Sequence, residues 1–170
     1  MTKLTLDLVN RQSRAEFVQS LGGIFEHSPW VAEQVFALRP FGSVADLHQA
    51  MVAVIAAADQ SVKMQLIRNH PELAGRAAIA GELTAESTSE QKGAGLDQCS
   101  PQELAELTEL NRAYAERFGM PFIIAVSGLN RRNILDAVAA RLHNSESAEQ
   151  QEAMNQIYRI GLIRLNKLLG

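Results

Sequence analysis

The chain is predicted to be all-α, a single domain spanning 1–170 and built from about seven or eight helices with no sheet. Three observations predict it. Ala and Leu together supply roughly a quarter of the sequence, and both favour helix. Helix start and stop signals recur along the chain. The one β-branched apolar run, FIIAV, stands without partner strands. At 170 residues and 46% hydrophobic composition the chain can bury one sizeable core.

Ser13 with Glu16 reads as a capping box opening a helix that stops at Gly22-Gly23. Ser28 followed by Pro29 reads as an N-cap and first helical position, starting a helix to about Leu38. Ser43 caps the nearly all-apolar VADLHQAMVAVIAAA, a core helix. The next helix, from about Gln60 to Asn69, must stop before Pro71, which disfavours α geometry in the residue ahead of it. Residues 71–86 read as an ordered loop with helical fragments, and long loops in compact domains are often functional. A helix then starts in ESTSEQ and ends near Gly93 or Gly95. Ser100-Pro101 with Glu103 opens a long helix closed by Gly119. Phe122 to Val126 reads as a buried extended loop or a helical turn. The last two helices span about Arg131–Leu142 and Ser147–Leu169.

The net charge of −3 argues against a nucleic-acid footprint. No run of eighteen apolar residues is present, so no membrane span or membrane partner is expected. The start, MTKLTLDLVNRQ, lacks an apolar signal region, and the end, Leu168-Leu169-Gly170, lacks a peroxisomal tripeptide, so a cytoplasmic location is expected. Cys99, the one cysteine, reads as a small packed hydrophobe. No two histidines show metal-ligand spacing, and His27, His48 and His143 read as surface or packing residues. Gly93 and Gly95 in KGAGLD follow no strand, which makes a phosphate loop a poor reading. Arg131-Arg132 reads as a solvated helix start.

Three positions could carry chemistry. His70, in NHPELAG, sits between a helix end and a proline. It is either a proton donor near neutral pH or a cap for helix carbonyls. Ser87, Glu90 and Gln91 share a helix face, which offers a hydroxyl, a carboxylate and an amide to a small polar heterocycle. Equally, Ser87 with Glu90, or Thr88 with Gln91, is a capping box. Arg164 emerges from helix geometry. With Ile157 at 0°, Ile160 falls at about 300°, Arg164 at about 340° and Leu168 at about 20°, while Arg159 lies opposite. A guanidinium inside an apolar stripe needs an anion, either a protein carboxylate or a ligand held in a bidentate fork, unless its stem snorkels to water.

Four blocks carry a resemblance: HPEL at 70–73, LT.ES..EQ.GAGLD at 83–97, NRAYAERFGMPFIIAVSG at 111–128, and RIGLIRLNKLL at the end. In this order they resemble the 2-oxo-4-hydroxy-4-carboxy-5-ureidoimidazoline (OHCU) decarboxylases over about residues 8–169. The resemblance implies an all-helical homodimer that uses no metal or organic cofactor. The implied reaction converts the ring-opened urate intermediate to (S)-allantoin and carbon dioxide. It places the catalytic histidine on His70, with catalytic roles also for Glu90 and Arg164. Substrate contacts are implied for Pro71, Ser87, Glu90, Gln91, Arg164 and the segment Phe122, Ile123, Ile124, Ala125 and Val126. Met120 stands where the family often has an aromatic. The alternatives are a lyase or hydrolase acting on another ureide or hydantoin, and a non-catalytic helical interaction module.

Overall fold

The computed structural model describes residues 3–170. Ten α-helices run through them, and no strand is present among the described residues. They are α1 (Leu6–Arg11), α2 (Arg14–Leu21), α3 (Trp30–Val35), α4 (Val44–Ala56), α5 (Gln60–Arg68), α6 (Arg76–Ala80), α7 (Ala85–Gly93), α8 (Pro101–Phe118), α9 (Arg131–Arg141) and α10 (Glu146–Leu169). All eight helices marked by the sequence are present. The two additional ones, α1 and α6, span six and five residues. No single helix among the described residues is long and apolar enough to cross a membrane.

Local chemistry explains most boundaries. Ser13 and Glu16 exchange both bonds of a capping box at α2, and Ser100 and Glu103 do so at α8. Gly119 ends α8 with φ 66, a left-handed position that glycine adopts without strain. The start of α3 differs from the sequence reading. Ser28 does not cap α3; Pro29 takes the N-cap position without a side-chain bond. The Ser28 hydroxyl donates instead to the Glu26 carbonyl at 2.8 Å and accepts from Asn69 Nδ2 at 3.3 Å.

The chain forms two compact units. Unit 1 comprises residues up to Asn69 together with Tyr158–Gly170, and unit 2 comprises His70–Ile157. In unit 1, α3 packs on α4 and α2 around Phe17, Leu47, Met51 and Ile55, all fully buried or nearly so. Arg39 fastens this unit, donating to the carbonyls of Phe36, Asn10 and Gln12 while its guanidinium lies 3.7 Å from the Phe36 ring centroid. His48 bonds the Tyr158 carbonyl at 2.7 Å, consistent with a packing role.

Gly161 is a close-approach position in unit 1. A Cβ there would lie 2.7 Å from two carbons of the Phe25 ring. Gly161→Ala is therefore expected to destabilise the chain by about 1–3 kcal/mol through overpacking. Urea unfolding checks this; an unchanged midpoint would mean that Phe25 yields freely.

In unit 2, α8 packs on α9. Tyr114, Phe118 and Phe122 form an aromatic cluster, with the Tyr114 ring centroid 4.6 Å from that of Phe118 and 5.3 Å from that of Phe122. Below it lies a buried polar knot. Tyr114 donates its hydroxyl to Glu149 at 2.5 Å, Asn144 donates at 2.9 Å, and the Arg141 guanidinium grips the same carboxylate from 2.9 Å. Burial alone would raise the Glu149 carboxyl, but the bonds from Arg141, Tyr114 and Asn144 outweigh it and hold it below the ordinary glutamate range. Burial, followed by the bond to Glu149, pushes the Tyr114 phenol well above its usual range.

Candidate functional site

His70 is the first residue of unit 2 and is 7% exposed. The backbone beyond Pro71 makes a tight turn, with the Gly75 amide donating to the Glu72 carbonyl at 3.4 Å. Gly75 is needed there, because a Cβ would lie 2.7 Å from that of Glu72. Ala74 sits at φ 50, a left-handed conformation that costs a non-glycine residue roughly 1–2 kcal/mol. Side-chain amides from two helices hold the turn. Gln91 on α7 accepts from the Ala74 amide at 2.9 Å, and its Nε2 donates to the Glu72 carbonyl at 3.5 Å. Asn111 on α8 donates to the Leu73 carbonyl at 3.0 Å.

The capping question at α7 is resolved against Ser87. The N-cap is Thr84, whose hydroxyl accepts from the Ser87 amide at 3.2 Å. Ser87 therefore lies in the first turn, and one face of α7 carries Ser87 and Gln91, both buried, with Glu90 half-buried. A short helix rich in Ser, Thr and Glu forms here because a threonine closes its start, while Gly95, at φ 77, lies just past its end.

Phe122 to Val126 is irregular and not a helical turn, and all but Ile124 are buried. It is fastened at alternate residues. Arg141 on α9 donates to the Ile123 carbonyl at 2.7 Å, and Gln156 on α10 accepts from the Ala125 amide at 2.9 Å. Between these fasteners, the amide and carbonyl of Ile124 make no hydrogen bond among the described residues. The segment thus offers one donor and one acceptor on a backbone that is already fixed.

Arg164 belongs to unit 1 and is 6% exposed, as its place in the apolar stripe predicts. Of the partners the sequence leaves open, the structure supplies a protein carboxylate: Nη1 donates to Glu26 Oε2 at 2.9 Å. The same nitrogen lies 3.4 Å from the carbonyls of Gly23 and Ile24. Both charges are buried, so each depends on the other.

Unit 2 also contains a cavity of about 430 Å³, lined by Ala74, Ile79, Gln91, Lys92, Leu96 and Cys99 among others. Of the predicted site residues it includes Gln91 alone. Burial, and then the nearby Glu103 charge, pushes the Cys99 thiol up. Arg131 is more than a solvated helix start. It donates to Glu103 at 3.0 Å and to the Gly95 carbonyl at 3.2 Å, which fixes the KGAGLD turn.

Sequence reasoning missed Glu26, Asn111, Arg141, Glu149 and Gln156. Asn111 carried a legible signal, since it falls in the apolar stripe of α8 between Leu107 and Tyr114. Glu26 lies in a non-helical stretch where no period applies.

A model of the OHCU decarboxylase family matches residues 10–166. The chain belongs to the OHCU decarboxylase family. Among the family's members, the 2-oxo-4-hydroxy-4-carboxy-5-ureidoimidazoline decarboxylase of Haloferax volcanii is 41% identical over 97% of this chain and 96% of its own length. The uric acid degradation bifunctional protein PucL of Bacillus subtilis is 40% identical over 97% of this chain. The chain spans 33% of that larger protein. A crystal structure of (S)-allantoin synthase superposes with a TM-score of 0.80 at 26% identity, covering 98% of this chain and 54% of the other. This OHCU decarboxylase family member thus spans nearly the full length of the Haloferax volcanii relative and shares the fold of the solved (S)-allantoin synthase.

Proposed function

We propose that this chain, acting over residues 1–170 as one catalytic domain, decarboxylates 2-oxo-4-hydroxy-4-carboxy-5-ureidoimidazoline to (S)-allantoin. The carrying observation is the fixed His70 turn, which Gln91 ties to the Ser87–Glu90–Gln91 face in a chain that matches one decarboxylase family over residues 10–166.

The substrate carries its own electron sink. The carbon bearing the departing carboxylate also bears a hydroxyl and adjoins a ring carbon joined to nitrogen by a double bond. The bond to the carboxylate breaks and carbon dioxide leaves. The electron pair forms a double bond to the adjoining ring carbon while the former C=N nitrogen takes a proton. The resulting enol then loses its hydroxyl proton to become the product carbonyl as the ring carbon takes a proton on one face. The protein must orient the ring, balance developing charge and deliver the proton to one face.

His70 supplies that proton or the hydrogen bond that leads to it. Arg164, held by Glu26, orients substrate oxygen. Glu90, Ser87 and the amide nitrogen of Gln91 hold the ring and ureido groups. The carbonyl oxygen of Gln91 is already committed to Ala74. Ile124 supplies backbone contacts, with Phe122, Ile123, Ala125 and Val126 shaping the wall beside Pro71. The resemblance extends this reading to a cytoplasmic homodimer, for which sedimentation gives the mass.

The test generates the intermediate from urate in situ and follows optical activity after the chain is added. Rapid appearance of one enantiomer is the expected result. Racemic product at the uncatalysed rate overturns the reading, and turnover of other ureides alone favours a different lyase or hydrolase. Glu90→Ala is expected to lower the rate while leaving the melting temperature nearly unchanged. A change confined to the melting temperature would assign Glu90 to helix stability.

A further inference from the structure

We infer that Asn111 is a positioning residue for the reaction, acting with Gln91 as a two-amide clamp on the turn that follows His70 and Pro71. This inference rests on the decarboxylase reading of His70. Nothing in the sequence reading gave Asn111 a role.

Three consecutive backbone residues, Glu72, Leu73 and Ala74, are each held by a side-chain amide. The two clamping residues come from different helices, α7 and α8, and both are at least nine-tenths buried. The turn needs holding because Ala74 is left-handed at φ 50, a conformation that an alanine leaves when nothing retains it. Pro71 has a fixed φ, so one of the few dihedrals between this turn and His70 cannot take up a change at residues 72–74.

Asn111 also shows an unusual expense. It lies among Leu107, Tyr114 and Phe118 on the buried face of α8. Its Nδ2 serves Leu73, but its Oδ1 is buried and accepts no hydrogen bond among the described residues. A leucine would fill that place without stranding Oδ1, but it would leave the buried Leu73 carbonyl without its donor. An amide retained there, with its oxygen unused, is explained by the donor that it aims at Leu73. Gln91 then has two duties: its oxygen fixes Ala74, and its nitrogen lies on the face proposed to meet substrate.

The test compares the wild-type chain, Asn111→Leu, and Asn111→Leu combined with Ala74→Gly. Each is assayed for kcat, KM and enantiomeric excess on the in situ intermediate, with circular dichroism reporting the fold. Asn111→Leu is expected to lower kcat by up to ~10²-fold with KM nearly unchanged, since the proton donor is misplaced while the binding face persists. Glycine adopts φ 50 without strain, so Ala74→Gly in that background is expected to restore much of the lost kcat. A purely structural Asn111 would not respond to a glycine in the turn. Full kcat in a folded Asn111→Leu chain, or a loss that Ala74→Gly leaves untouched, overturns the clamp. If that variant does not fold, Asn111→Ala, which removes the same donor to Leu73, is read in the same way: a kcat loss relieved by Ala74→Gly supports the clamp, and full kcat overturns it. A wild-type chain without turnover sinks the decarboxylase reading instead, and is seen before any variant is compared.

Discussion

His70→Ala is expected to slow formation of (S)-allantoin by about 10²–10⁴-fold, the range a positioned general acid or base contributes. The side chain is buried, and the backbone that follows it is fixed by three side-chain hydrogen bonds at residues 72–74. Pre-set orientation is what makes one imidazole worth several orders of magnitude. The uncatalysed decay of the intermediate gives racemic product, so two readouts should move together. The enzymatic rate falls, and the enantiomeric excess falls as uncatalysed decay takes a larger share. His70→Asn keeps a hydrogen-bond donor without a titrating group. It is expected to retain some enantiomeric excess at a much lower rate. Unchanged rate and unchanged excess in His70→Ala would remove His70 from the chemistry.

The largest stability effect is expected at the knot under the aromatic cluster. Arg141→Met leaves the Glu149 carboxylate, 0% exposed, without its cation. Breaking a buried ion pair by removing one partner costs about 3–5 kcal/mol. For a chain of this size each kcal/mol lowers the melting temperature by about 2–4 °C. Removing both partners, in Arg141→Met with Glu149→Gln, is expected to cost less than Arg141→Met alone, because no bare charge remains. The pH dependence has a definite sign. The folded carboxyl is held below its ordinary value of 4.5, so the unfolded chain takes up a proton first as pH falls. The stabilisation is complete above about pH 4.5 and is lost as pH falls through the folded-state value. Thermal melts from neutral pH downward check this. A wild-type acid dependence identical to that of the double variant would show that Glu149 contributes none of it.

The helices were legible because their signals are local. A serine with a glutamate three residues on, or a glycine past the last apolar position, acts within one turn of backbone. The two revised caps show where such signals mislead. Ser28 has the right spelling, but its hydroxyl finds the Glu26 carbonyl first. Ser87 is pre-empted by Thr84 one turn earlier. Arg164 was legible because a cation in an apolar stripe violates burial rules wherever its partner is. The identity of that partner was not legible, since Glu26 lies in a segment with no period to place it. Arg141 was masked by its position in the last turn of α9, where a cation is ordinary helix-dipole chemistry. Short α1 lacked the length over which periodicity can be counted.

Glu26 and Arg164 are separated by 138 positions in the chain. A growing polypeptide on the ribosome therefore presents the acid long before its base exists. During that interval the carboxylate has no reason to leave water, and unit 1 lacks the end of α10 that completes it. The buried pair of unit 2, Arg141 and Glu149, is by contrast only 8 positions apart. Arg164, proposed to orient substrate, is thus also the counter-charge for which the Glu26 carboxylate waits.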